Sequence, residues 1–524
     1  MDRRLVSVVL CGLALCWSGA CGDTPNKAAD AAAFPDASDG ATDGAPDAAE
    51  DAGPGRRFES IEVLEVEALD LLAGEQSYSY LSAALRDLDD DGYKDAVLTV
   101  TTYPENDPQP IVIVRGEGAI TNAAEDFFPD GVLAVRHGPH IFFRDVDGVN
   151  GDDMLVSEAG LDHPPWSGDL IGIALRQADG TFTDVSGTVP DEAQGLRCYA
   201  LAAGDFFDDG QVHILLPSQT APDLTGLLAW SEGTWQFTQD WVDMALWWSP
   251  TNLYAASNMI ARDLDGDGRE DLYASGSWTE PNHRILYGSA AFPSGDDLVT
   301  LPDGPFGHTP WNDYDQPGVM MARGADVNRV VLADFDGDGE TDIVSIAEDV
   351  RIYKPGAFED TKHANYADVH ENGGTAYYGT ALQVLRKVDD RAYEDISPAA
   401  PGNDLGMRYY SVLLADDLDL DGDLDLVGHY WSKYYDGSVE PKWGSTFFFN
   451  DGHAGFERVE ATELFADVLA ATPSAEVFGL GAFFPARVTE DSVEGFFTAP
   501  VDSNLAAPKL RVVRFRANGS FKVQ

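Results

Sequence analysis

Nine residues, Asp-x-Asp-x-Asp-Gly-x-x-Asp, constrain this chain more than any other feature of it. The pattern recurs with its carboxylates at Asp87, Asp89, Asp91 and Asp95; at Asp263, Asp265, Asp267 and Asp271; at Asp334, Asp336, Asp338 and Asp342; and at Asp417, Asp419, Asp421 and Asp425. Oxygens at positions 1, 3 and 5 converge only if the chain turns tightly, and glycine at position 6 permits that turn. A main-chain carbonyl at position 7 (Tyr93, Arg269, Glu340, Asp423) and the carboxylate at position 9 complete an oxygen-rich site. Such a donor set suits Ca²⁺, which takes about 6–8 oxygens, better than Mg²⁺ with its strict octahedron. The four copies contain neither Cys nor His, which argues against Zn or Cu. A shifted copy carries Asp145, Asp147, Asn150 and Asp153, with its glycine displaced to Gly151. A decayed copy, Asp205 to His213, has lost the carboxylates at positions 3 and 9 and is expected to be empty. The expectation is therefore about four to five Ca²⁺ ions.

An EF-hand opens with the same residues but needs Glu at position 12 and flanking helices. Position 12 here is Leu98, Ala274, Ser345 or Gly428, so that reading fails. Short apolar runs flank each loop, as in Val330-Val331-Leu332 before it and Ala96-Val97-Leu98 after it, which describes strand–loop–strand. The first aspartates stand at 87, 145, 205, 263, 334 and 417, at intervals of roughly 60–80 residues. A seventh unit fits in the remainder, with Val477–Phe483 taking the place of the pre-loop strand without acidic ligands. A second landmark, a turn followed by an aromatic strand, recurs downstream at 178–182, 450–452 and 518–521. Four strands per unit account for both landmarks.

These loops, between strands and at this spacing, resemble the FG-GAP/VCBS repeats of integrin-α-like β-propellers. The resemblance covers residues 58–524 and implies an all-β, seven-bladed propeller whose loop aspartates hold calcium. It says little about activity, because such propellers serve as adhesins, receptors, assembly proteins and enzyme appendages. In catalytic relatives the chemistry usually sits in an additional domain; with residues 58–524 taken up by blades, none is expected here.

The first sixty residues point to export from the cytoplasm. Residues 1–20 read as an export signal: Arg3-Arg4, an apolar run from Leu5 to Trp17, then Ser18-Gly19-Ala20 before Cys21. Small residues before a cysteine resemble a lipobox, in which Cys21 is acylated, although Ser18 stands where that pattern usually has Leu. Plain secretion is the alternative. Residues 21–57 are largely Ala, Asp, Gly and Pro and cannot offset their own ordering entropy, so a disordered tether is expected. Beyond Cys21 the chain has one cysteine, Cys198, which excludes a disulfide framework and favours a buried structural thiol.

Composition narrows the partners. With 33 Lys+Arg against 90 Asp+Glu the net charge is −57, which excludes nucleic acid as a ligand and electrostatic docking on anionic lipid. No GxSxG, HExxH, P-loop or CxxC pattern stands at a usable place. His137 with His140, and His363 with His370, are weak metal candidates in turns or polar insertions. Aromatic residues crowd two units, Trp230 to Trp248 and Tyr430 to Trp443. Blade packing accounts for most of these; a stacking surface at Trp247, Trp248 and Trp431 is the sharper reading. Insertions around 290–325 and 358–380 have the composition of binding loops. Together these give the expectation of a monomeric, calcium-stabilised, membrane-tethered binding or adhesion module, not an enzyme, that recognises glycan or protein. A polysaccharide-acting enzyme or an envelope assembly component is the alternative.

Overall fold

The computed structural model describes residues 56–58, 60–70, 77–103, 107–161, 168–196, 198–217, 226–238, 256–276, 283–289, 295–302, 319–353, 367–371, 374–397, 409–432, 442–465, 482–501, 509–519 and 522–523. They form seven antiparallel blades set around an axis, with two further two-stranded pairs; the strands of a blade pair in chain order except in the fifth and seventh. The inner strands are Ser77–Arg86, Ile141–Arg144, Ala202–Gly204, Ala256–Arg262, Val319–Ala333, Tyr409–Asp416 and Ala482–Val488. The first six run directly into the Asp-rich loops and the two shifted or decayed copies, so all six loops lie on one face of the disc. The fold is the seven-bladed β-propeller expected from the repeats.

The apolar runs beside each loop now have a physical cause. A strand inside a propeller blade is covered on both faces, so it reads as continuous hydrophobic rather than alternating. Ala96 and Leu98 pack toward the seventh blade, while Val97 between them packs toward the second. Leu272 and Ala274 face the third blade, and Tyr273 faces the fifth. The buried core accordingly divides into seven clusters, one for each seam between neighbouring blades. The one richest in phenylalanine lies between the sixth and seventh blades, where Phe465 sits within 4.9 Å of Phe497 and Phe515 and 5.7 Å of Phe447.

Ring closure departs from the sequence reading. The outer strand of the seventh blade is Ser60–Asp70, from the other end of the chain, paired antiparallel with Lys509–Asn518. Arg56–Arg57 extends the closure against Lys522–Val523, so the turn at 518–519 leads into this clasp and not into a fourth strand of its own blade. The inner strand of that blade is Ala482–Val488 rather than 477–483; residues 477–481 lie outside the described ones. A tight hairpin at Thr489–Asp491 replaces the acidic loop, with Thr489 N–H donating to Ser492 at 2.9 Å. Part of the expected insertions is also strand: the fifth blade lengthens into Val319–Ala333, Asp342–Tyr353 and Gly374–Asp389, with Ala367–Glu371 added at its edge.

Ion pairs gather where the inner strands meet the loops. Arg86 pairs with Asp152 of the second blade, Arg144 with Glu270 of the fourth, and Lys94 with Asp416 of the sixth. The last two skip a blade, which a side chain can do only on the axial side. Phe465→Ala is expected to cost about 3–5 kcal/mol in a urea titration. Val388→Ala, at a position 54% exposed, should stay within about 0.5 kcal/mol.

Candidate metal centres

Each loop is built by its own carboxylates before any ion is considered. The position-1 aspartate accepts the N–H groups of positions 5 and 6: Asp87 from Asp91 and Gly92, Asp334 from Asp338 and Gly339, Asp417 from Asp421 and Gly422, all between 2.9 and 3.2 Å. Asp263 accepts Gly268 N–H at 2.9 Å. The position-5 carboxylate accepts the position-7 N–H, from Tyr93, Arg269, Glu340 and Asp423. Position 6 has φ near +90°, which glycine alone adopts without strain. Position 4 is left-handed as well, even where it is Asp90 or Leu420.

Position 9 has a second task that the sequence motif does not announce. Asp95, Asp153, Asp271, Asp342 and Asp425 are all inaccessible to water. One oxygen of each accepts the position-2 N–H, from Leu88, Val146, Leu264, Phe335 and Leu418. The other accepts an N–H at the end of the third strand or just past it, from Gly116, Arg176, Gly288, Lys387 and Asn450. A single side chain thus staples the loop to its blade. In the decayed copy that staple is lost, and Gln211 takes over by donating its Nε2 to Trp230 at 2.7 Å.

The carboxylates converge as the motif requires, with local differences. Three groups offer ligand oxygens within 4.8 Å of one another at positions 1, 3 and 9: Asp263, Asp265, Asp271; Asp334, Asp336, Asp342; and Asp417, Asp419, Asp425. In the first blade the trio is Asp87, Asp89 and Asp91, without Asp95. The shifted copy brings together Asp145, Asp147 and Asp153 in the same way, whereas Asn150 turns outward and donates to the Arg176 carbonyl at 3.1 Å. The decayed copy forms no such group among the described residues. Asp267, Asp338 and Asp421 hold the turn outside the tightest trios. Every trio offers oxygen alone, the donor chemistry of a hard divalent cation.

Burial makes these sites costly when they are metal-free. Desolvation raises Asp95 and Asp271 to about 6, Asp153 to about 7 and Asp425 to about 8, and raises Asp342, Asp147 and Asp417 as well. Asp89 rises through burial first and then through the charge of Asp91. Guanidiniums answer part of this charge: Arg115 pairs with Asp89, Arg269 with Asp267 and Arg391 with Asp265.

The other candidates resolve toward packing or fall outside the described residues. Cys198 is buried, its thiol pushed up by burial and by Glu158, so it is no nucleophile. Glu158 is itself buried and accepts the N–H groups of Arg136, His137 and Gly160 at 2.7–2.9 Å. Trp230 and Trp235 meet edge-on at 4.9 Å in the core between the second and third blades. Trp431 lies on Asp425–Ser432 opposite Tyr409 and Trp443. Cys21, Trp247, Trp248 and His363 lie outside the described residues, and His370 stands in the edge strand of the fifth blade.

These observations define a seven-bladed propeller with five convergent carboxylate loops on one face. No family model and no curated protein matches the chain. Among solved structures it is similar to the β-fructofuranosidase of Schwanniomyces occidentalis complexed with fructosyl-erythritol, at 8% identity and a TM-score of 0.29, over 87% of this chain and 98% of that one. The expectation of a non-catalytic binding or adhesion module stands against a match that is itself an enzyme, and is corrected to that extent. The correction goes no further: at that score the likeness carries no argument for a reaction, a substrate or a residue.

The raised aspartates set a pH dependence for the metal-stripped protein. An acid whose folded pKa lies above its unfolded value of about 3.9 binds more protons when folded, so stability falls as pH rises through the folded value. In EDTA the melting temperature is expected to decline steadily from pH 5 to pH 8. Millimolar calcium, which favours the ionised form, should flatten that decline in a calorimetric scan.

Proposed function

We propose that this chain is a calcium-clamped propeller of the FG-GAP/VCBS type, exported and lipid-anchored through Cys21, which acts on a polysaccharide. The calcium part is carried by the convergence of five carboxylate trios, four of them closed by a buried position-9 aspartate. Asp87, Asp89 and Asp91; Asp145, Asp147 and Asp153; Asp263, Asp265 and Asp271; Asp334, Asp336 and Asp342; and Asp417, Asp419 and Asp425 would hold the ions. The bound cation supplies positive charge at each point where three carboxylates meet. The residues themselves order the loop, staple it to the third strand and keep water from position 9.

The anchor reading rests on the residues before Cys21; among the described residues no helix is long and apolar enough to cross a membrane. Ser60 pairs with Asn518 at the loop end of the seventh blade, so the chain enters the disc on the loop face. The opposite face, toward which the long strands of the fifth blade extend, is then the one turned away from an anchor. Two readings are left once the adhesion module is withdrawn, a polysaccharide-acting enzyme and an envelope assembly component; the first is the one put to test below, and it assigns a catalytic role to no side chain.

At about ten times Kd each independent site adds roughly 1.4 kcal/mol, so four or five sites add about 5–7 kcal/mol. Chelation is expected to lower the melting temperature and open the disc to protease; an unchanged melt at low ionic strength would show the loops to be acidic turns only. For the activity, calcium-loaded protein incubated with a panel of neutral and acidic polysaccharides should release new reducing or unsaturated ends. A folded, calcium-loaded protein that leaves the whole panel intact sinks the enzyme reading.

A further inference from the structure

Arg391 reaches from one blade into the metal loop of another. It lies in the hairpin that joins Gly374–Asp389 to Ala392–Asp395 of the fifth blade, yet its Nε and Nη2 both stand 2.9 Å from Oδ2 of Asp265, position 3 of the fourth-blade loop. Its Nη1 donates to Asp297 of the fourth blade at 3.2 Å, and its guanidinium lies over the Tyr287 ring at 4.4 Å. A planar cation held by two nitrogens on one carboxylate oxygen, by a second carboxylate and by an aromatic face is a built socket, not a chance surface pair. The Asp265 side chain is only 6% exposed, so this contact decides where one ligand oxygen points.

We propose that Arg391 is a positioning residue for the fourth-blade metal site, and that it couples occupancy of that site to the seam between the fourth and fifth blades. The inference rests on the calcium reading above and concerns what this chain adds to it. Charge supports the assignment. Asp263, Asp265, Asp267 and Asp271 carry four negative charges; a divalent ion answers two, and Arg391 on Asp265 with Arg269 on Asp267 answers the other two. Glu270 is separately paired with Arg144. The fifth-blade loop shows the contrast, since Asp336 makes no ion pair among the described residues. In the first blade the guanidinium on position 3, Arg115, comes from the same blade, and there the trio forms without position 9. In the fourth blade the trio of positions 1, 3 and 9 is intact with Arg391 in place, so the guanidinium and the convergence coexist. Partners that orient a ligating carboxylate are typically worth about 10–100-fold in metal affinity.

The test is a double-mutant cycle on the full folded chain, read as the calcium concentration that half-restores thermal stability after EDTA. Arg391→Gln should raise that concentration for the fourth-blade site about tenfold, and Arg391→Lys, which keeps the charge but loses the fork, by less. In the Asp265→Asn background Arg391→Gln should have no further effect, because it acts through Asp265. Arg386→Gln, on the same hairpin but paired with Glu394, should leave the calcium midpoint unchanged. Additive effects of Arg391→Gln and Asp265→Asn, or a midpoint unchanged or lowered by Arg391→Gln, overturn the inference while leaving the calcium reading intact. A wild-type protein indifferent to calcium overturns both. If Arg391→Gln does not fold, the Lys variant with and without Asp265→Asn decides by the same criterion.

Discussion

A carboxylate sealed from water has to be held by something, and the architecture of this propeller follows from how five of them are held. Asp95, Asp153, Asp271, Asp342 and Asp425 each take one N–H from their own loop and one from the third-strand end of their blade. An unsatisfied buried carboxylate costs several kcal/mol, whereas a carboxylate with two charge-assisted hydrogen bonds ties two chain segments into one register. That bond pattern fixes the distance between the loop and the blade, and with it the place where positions 1 and 3 can meet position 9. In four of the five loops the metal site thus uses the same side chain that staples the loop to its blade. Gln211 shows the point from the other side: where the carboxylate is gone, a different side chain repairs the staple, and the convergence of ligands is not rebuilt.

Blades shaped in this way are not stable alone, since both faces of each sheet are apolar. Seven seams absorb those faces, and the ring closes because Ser60–Asp70 completes a blade begun more than 400 residues later. Closure by a distant strand makes the disc cooperative, for opening one seam exposes hydrophobic surface on two blades. Ion pairs that skip a blade, Arg144 to Glu270 and Lys94 to Asp416, bind the axial ends of the inner strands on the loop face. The loop face therefore combines clasp, axial ion pairs and carboxylate trios, and is built for rigidity. The opposite face carries the long fifth-blade strands and is where the ring differs most from regular seven-fold repetition.

Charge ties stability to conditions. The loops concentrate carboxylates in a chain with a net charge of −57, and only a few guanidiniums answer them locally. Arg391 is the most consequential of these, because its carbon chain belongs to one blade and its charge to the next. A cation in such a position links the electrostatics of a loop to the packing of a seam, which neither blade achieves by itself.

Much of this was legible in the sequence. The Asp-x-Asp-x-Asp-Gly spacing, the apolar runs around it and the recurrence of about 60 residues together determined an all-β ring of seven blades and the residues that converge in its loops. Local chemistry sufficed there, because a nine-residue turn encloses its own ligands. What the sequence left open was decided between segments far apart. The seventh blade was placed too early, at Val477–Phe483, because its outer strand comes from Ser60–Asp70 and leaves no mark near residue 518. Asn150 was a ligand candidate by spacing, and only the fold shows that its amide nitrogen donates to the Arg176 carbonyl of the third strand. The pairing of Arg391 with Asp265 joins residues 126 positions apart. Only the tertiary structure decides such contacts, since they depend on how neighbouring blades are turned about a common axis, and that angle is set by the packing of whole seams rather than by any run of residues.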